Sequence, residues 1–147
     1  MTVTTETDID RKAVALEYLK RLDRGEDFFE LFDDNAQFWF PKWGIADGIE
    51  AIRAAFGGIG SILQGITHDY AYFNYVVNGD VVVVEGTSAG VAADGTAFRA
   101  GVGHAGRWCD VFEIRGGKIH RLFIYLDPDY AGADTARYPW LASGAPA

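Results

Sequence analysis

The stretch GRWCDVFEIRGGKIHRLFIYLD, residues 106–127, decides how the rest of the chain is read. Gly116-Gly117 divides it into two runs of alternating apolar residues, the pattern of a β-hairpin with one buried face. In the first run Asp110 shares parity with Trp108, Phe112 and Ile114, which puts an acid on the apolar face. An unpaired carboxylate buried there costs several kcal/mol or stays protonated. Asp110 is therefore a neutral hydrogen-bond donor in a pocket, unless a bulge at the neighbouring glycines turns it outward. The regular run from Trp108 to Ile114 favours the first reading.

Working outward, the two-residue period begins near His68. The runs HDYAYFNYVV and VVVVEGTSAGV flank Asn78-Gly79-Asp80, whose Asn-Gly suits a type I′ hairpin turn. Asp94-Gly95 separates the next pair, and Gly101, Gly103 and Gly106 predict a bent or bulged third run. Towards the N-terminus the period becomes helical. Thr7 or Asp8 can cap a helix carrying Ala15, Tyr18, Leu19 and Leu22 on one stripe and ending at Gly25. FFELF reads as a short second helix ending near Asp33-Asp34, and AQFWFP as a brief strand stopped by Pro41. A third helix opens with a capping box from Asp47 to Glu50, carries Ile49, Ile52 and Phe56, and stops at Gly57-Gly58. Helices first and hairpin-linked strands after them predict an α+β fold. The chain reads as one domain over 1–147, with a core of about 8–127 and an irregular tail over 128–147. Tyr138, Trp140 and Leu141 are expected to pack back from that tail.

The chain has 147 residues, of which 49% are apolar and 14% aromatic, enough for a substantial core. Thirteen basic against twenty-one acidic residues leave a net charge of −8, which disfavours nucleic acid or an anionic membrane as partner. Cys109 stands alone, so no internal disulfide is expected. Neither a signal peptide nor a membrane-spanning apolar run is visible, and a cytoplasmic protein is the expectation. His68, His104 and His120 lack metal-ligand spacing, and no metal site is expected. FGGIGS follows a helix and lacks a Walker lysine, so no nucleotide cofactor is expected either.

Five segments carry a resemblance: YLKRLDRGE, FDDNAQFWFP, GIEAIRAAF, GDVVVVEGT and CDVFEIRGGKIHRLFIYLD. Together they resemble the NTF2-like superfamily of α+β cones, with its SnoaL-like polyketide cyclases and ketosteroid isomerases. The resemblance implies three N-terminal helices packed on a curved antiparallel sheet around an internal pocket, and a homodimer formed through the outer sheet face. It puts Tyr18 and Asp110 where ketosteroid isomerases hold the two donors of their oxyanion hole. The general-base aspartate of those enzymes is replaced by Phe40, before Pro41. The acidic residue that cyclases and epoxide hydrolases carry in the last strand is replaced by Ile124. Dehydratases of the superfamily pair a histidine with a carboxylate, and His68 in GITHDY with Asp23 after the first helix resembles that pair.

These readings predict an acid–base enzyme, an isomerase, dehydratase or related lyase, acting on a small hydrophobic, cyclic or aromatic molecule without a cofactor. Asp110, Tyr18, His68 and His104 are the candidate catalytic residues. Trp39, Phe40, Trp108, Phe112, Leu122 and Ile124 are the candidate substrate-binding residues. Each has a plainer reading: Tyr18 as a core tyrosine, His68 as a strand-end histidine bonded to backbone, the aromatics as ordinary core. Glu85, inside a valine run, is expected to pair with Arg107 or Arg121. The rival function is a ligand-binding or assembly module of the same fold, favoured by the absent base at Phe40.

Overall fold

The structure is a computed structural model and describes residues 5–138. It opens with α1 (Asp8–Arg24), capped by Thr7. The Thr7 hydroxyl accepts the Asp10 N–H at 3.2 Å, and the Asp10 carboxylate accepts the Thr7 N–H at 2.8 Å. This reciprocal box satisfies two backbone donors that a helix start leaves over. Gly25, at φ 69°, closes the helix in the left-handed conformation that glycine adopts without strain. Ala15, Tyr18 and Leu19 form the buried stripe.

β1 (Phe32–Phe40) and β2 (Gly44–Asp47) follow as an antiparallel pair, then α2 (Ile49–Gly60). The remaining strands are β3 (Leu63–His68), β4 (Asn74–Asn78), β5 (Val81–Ala92), β6 (Ala97–Arg99), β7 (Arg107–Arg115) and β8 (Lys118–Leu126). The eight-stranded sheet runs β2-β1-β8-β7-β5-β3, with β4 and β6 also paired to β5. β5 is the pivot. Its first half lies between β4 and β7, and its second half between β3 and β6. Gly86 stands at that change of neighbours, where a Cβ would come within 2.7 Å of Trp108 and 2.8 Å of Phe73. At the β7–β8 hairpin Gly116 and Gly117 both take positive φ, 58° and 73°, and the Glu6 carboxylate accepts both of their N–H groups.

Several expectations change. The fold has two α-helices, not three, because FFELF forms only a single 3₁₀ turn over Phe29–Leu31 and Phe32 already begins β1. The sheet is mixed, since β1 runs parallel to β8. α2 is capped by Gly48 without a side-chain bond, because Asp47 instead accepts from Gln37 across the β1–β2 pair. α2 also continues through Gly57-Gly58 to Gly60. His68 ends β3 rather than starting a strand, and a 3₁₀ turn over Tyr70–Tyr72 separates it from β4. In the β4–β5 turn only Gly79 has positive φ, whereas a type I′ turn needs two such residues. Glu85 accepts a hydrogen bond from Asn74, and Arg121 pairs with Glu113. Trp140 and Leu141 lie outside the described residues. Among the described residues no helix is long and apolar enough to cross a membrane.

The core lies between the helices and the inner sheet face. Tyr18 sits edge-on to Phe28, Phe32, Phe56 and Phe112. That aromatic packing closes one end of the inner face and leaves the other end hollow.

Candidate active site

The hollow end is a cavity of about 440 Å³. Its walls are mostly apolar, from Leu19 and Leu22 of α1, Phe28, Phe29, Phe40, Phe56, Ile59, Ile66, Ile124 and Leu126. Four polar side chains break that lining deep in the fold: Tyr18, His68, Asp110 and Tyr130.

β7 presents Asp110 inward by strand alternation, with Trp108, Phe112 and Ile114 buried on the same parity. Asp110 is 3% exposed, and its Cα partners are Val84 and Ile124 on the neighbouring strands. Burial among such neighbours disfavours the charged form and pushes its carboxyl up to about 8. Asp110 is therefore largely a neutral acid at pH 7. α1 presents Tyr18, fully buried, with a hydroxyl that has no protein partner among the described residues. Burial first, then the Asp110 carboxyl, raises the Tyr18 hydroxyl well above its ordinary value, so it remains an O–H donor. An unsatisfied buried hydroxyl is costly to the fold, and one beside a cavity is available to a ligand.

The third polar element joins the end of α1 to the end of β3. Asp23 accepts from His68 Nδ1 at 2.6 Å, from the His68 backbone N–H at 2.9 Å and from the Tyr70 hydroxyl at 2.7 Å. Burial would raise the Asp23 carboxyl, but the His68 bonds and charge, with Tyr70, hold it below its ordinary value. Asp23 is thus an ionised acceptor, so in the neutral form of His68 the proton sits on Nδ1 and the lone pair on Nε2. The His68 ring is edge-on to Trp108 at 5.1 Å, and its side chain is 7% exposed. The arrangement holds one proton acceptor and two neutral donors around one apolar space.

Of the candidate residues, Tyr18, His68, Asp110, Phe40 and Ile124 line this cavity. His104 does not. It lies in the loop between β6 and β7, where its Nε2 bonds to the Asp129 carbonyl at 2.5 Å, because the glycines around it end the strand and break its parity with Asp110. Trp39 faces the outer side, against Phe123 and Tyr125, since adjacent strand residues point opposite ways and Phe40 takes the inner one. Phe112 and Leu122 are inward but fully buried in the closed end. Trp108 supports His68 and Phe73 from behind. Tyr130, Tyr70 and Arg53 carry no local signal in the sequence. Tyr130 reaches the cavity from the segment after β8, and its ring packs on Phe98 at 4.7 Å.

The model of the SnoaL-like domain matches residues 16–122. The chain belongs to the SnoaL-like family. Its fold is that of the NTF2-like proteins. An NTF2-like protein from Anabaena variabilis is 23% identical, with a TM-score of 0.68 over 88% of this chain and 98% of that one. TerC, crystallised with polyporic acid, is 16% identical, with a TM-score of 0.68 over 91% and 98%. Bal32a, from a soil-derived mobile gene cassette, is 20% identical, with a TM-score of 0.64 over 84% and 94%. No curated protein matches this chain.

Proposed function

We propose that this SnoaL-like protein is an acid–base enzyme that moves a proton on a small hydrophobic, cyclic or aromatic molecule bound in the cavity. The observation that carries this reading is the His68–Asp23 pair, which opens on the same apolar space as the unpartnered Tyr18 hydroxyl and the buried Asp110 carboxyl. His68 Nε2 takes a proton from carbon next to a substrate carbonyl. Tyr18 and neutral Asp110 donate hydrogen bonds to the oxygen as it gains negative charge. The imidazolium, stabilised by Asp23, then returns the proton. Delivery to another carbon gives isomerisation, and delivery to a leaving hydroxyl gives dehydration. Phe40 and Ile124, where other members of the superfamily carry acids, keep that part of the wall apolar.

The rival reading, a binding module without chemistry, rests on Phe40. The test is solvent exchange on β-tetralone, a bicyclic aromatic ketone with acidic C–H groups, followed by proton NMR in D₂O. The wild type is expected to accelerate exchange. His68→Gln loses roughly 10²–10⁴-fold of that acceleration, the range for a positioned general base. Asp23→Asn, which frees the imidazole to change tautomer, loses a smaller but clear share. No acceleration by the wild type would leave the binding module as the better reading, and exchange by His68→Gln at the wild-type rate would remove His68 as the base.

The protein also forms a homodimer through the outer sheet face in this reading. The registers align Ile45, Trp39, Phe123, Val111, Val83 and Val76 as one apolar row across β2, β1, β8, β7, β5 and β4. No residue of that row is buried.

A further inference from the structure

The cavity mouth holds a feature that proton transfer does not use. Arg53, Phe56, Gly57 and Gly60 line the cavity at spacings of three, four and seven, so they share one face of α2. Gly65 of β3 stands at the same mouth. Glycine usually has a structural reason, and neighbouring Gly58 has one: a Cβ there would lie 2.5 Å from Trp43 Nε1. Gly57, Gly60 and Gly65 have none. Their φ angles lie outside the left-handed region, and a Cβ at any of them would meet nothing within 4 Å. A glycine inside a helix also weakens it relative to alanine. What these three positions preserve is open space at the entrance.

Arg53 stands beside that space. Among the described lining residues it is the one side chain with a permanent charge, a cation in a chain of net charge −8. Its guanidinium lies over the Phe29 ring at 4.7 Å, which holds the group against the mouth. Its ion-pair partner, Glu50, is 3.8 Å away with a side chain 88% exposed, a pairing that leaves most of the charge unspent.

We infer that the ligand is an aromatic or alicyclic ring compound carrying an anionic substituent, the ring held in the cavity and the substituent leaving across Gly57, Gly60 and Gly65 to meet Arg53. This assignment rests on the cavity of the proposed enzyme but not on its proton chemistry.

The test uses two dyes that share their rings, 8-anilinonaphthalene-1-sulfonate and uncharged N-phenyl-1-naphthylamine, titrated by fluorescence. Arg53→Met keeps the length and apolar stem of the side chain. It is expected to weaken the sulfonate dye roughly fivefold, the upper range for a half-exposed ion pair, and to move the neutral dye less than about twofold. Raised salt should shrink the wild-type advantage of the sulfonate. Gly60→Leu, or Gly57→Leu should the first disturb the helix end, should weaken both dyes by filling the mouth. His68→Gln, on the cavity wall away from Arg53, should move both dyes alike and keep the preference for the sulfonate, so loss of exchange activity and loss of charge selectivity report on separate claims. Equal effects of Arg53→Met on the two dyes, unaltered binding in both glycine variants, or no binding of either dye would overturn the inference.

Discussion

Burial of Asp110 has a consequence for stability that is independent of any substrate. With its carboxyl pushed from 3.8 up to about 8, the folded chain keeps a proton between those values that the unfolded chain has lost. Stability from this group is complete below the lower value and falls as pH rises through the window, by at most about 1.4 kcal/mol per pH unit. Asp110→Asn removes that titration. Urea unfolding should show the variant gaining on the wild type steadily from about pH 5 to pH 8, and gaining nothing below about pH 4. In exchange assays Asp110→Asn, which still offers an N–H, should retain a large share of activity. Asp110→Ala should lose roughly 10²-fold, the scale for one oxyanion donor. Equal, severe losses in both would make Asp110 the base. The position of Asp110 was legible because strand parity is a local property of seven residues, Trp108 to Ile114. The pairing of His68 with Asp23 was suggested only by resemblance, because it joins residues 45 apart.

At the scale of elements, α1 and α2 differ in what holds them. α1 depends on its cap, and Thr7→Ala should cost about 1 kcal/mol in denaturant unfolding. α2 carries Gly57 in its interior at a place open to alanine. Gly57→Ala should therefore stabilise the protein by about 0.4–1 kcal/mol while narrowing the cavity mouth, so a higher melting temperature accompanies weaker dye binding. The stripe of α1 was readable because three buried residues recur at helical spacing. FFELF was not, because Phe28, Phe29 and Phe32 serve the aromatic packing around Tyr18 and Phe56 rather than a helix face. β3 escaped notice because half of its residues, Gln64, Gly65 and Thr67, are exposed, which erases the apolar alternation. Its register comes from β5, across the chain.

At the scale of the molecule, one layer of helices covers one face of the sheet and leaves the other with an apolar row six strands wide. The homodimer proposed for that face predicts sedimentation as a dimer at micromolar concentration and as a monomer for Phe123→Glu. A monomeric wild type would remove the idea. The parallel pairing of β1 with β8, which brings Trp39 beside Phe123, could not be read from hairpin signals because no short turn connects those strands. The same long-range closure brings the Tyr18 hydroxyl, the Asp110 carboxyl and the His68–Asp23 pair to one cavity.

That convergence carries charge states as well as positions: Tyr18 and Asp110, both kept neutral by burial, line the cavity that His68 also lines. A carboxyl ¹³C titration, with the Asp110 signal identified by its loss in Asp110→Asn, reads the decisive state directly. The account predicts an Asp110 carboxyl that stays protonated through neutral pH and titrates near 8. A signal titrating near the ordinary carboxylate value would put an ionised group in the cavity and contradict the donor role on which the mechanism rests.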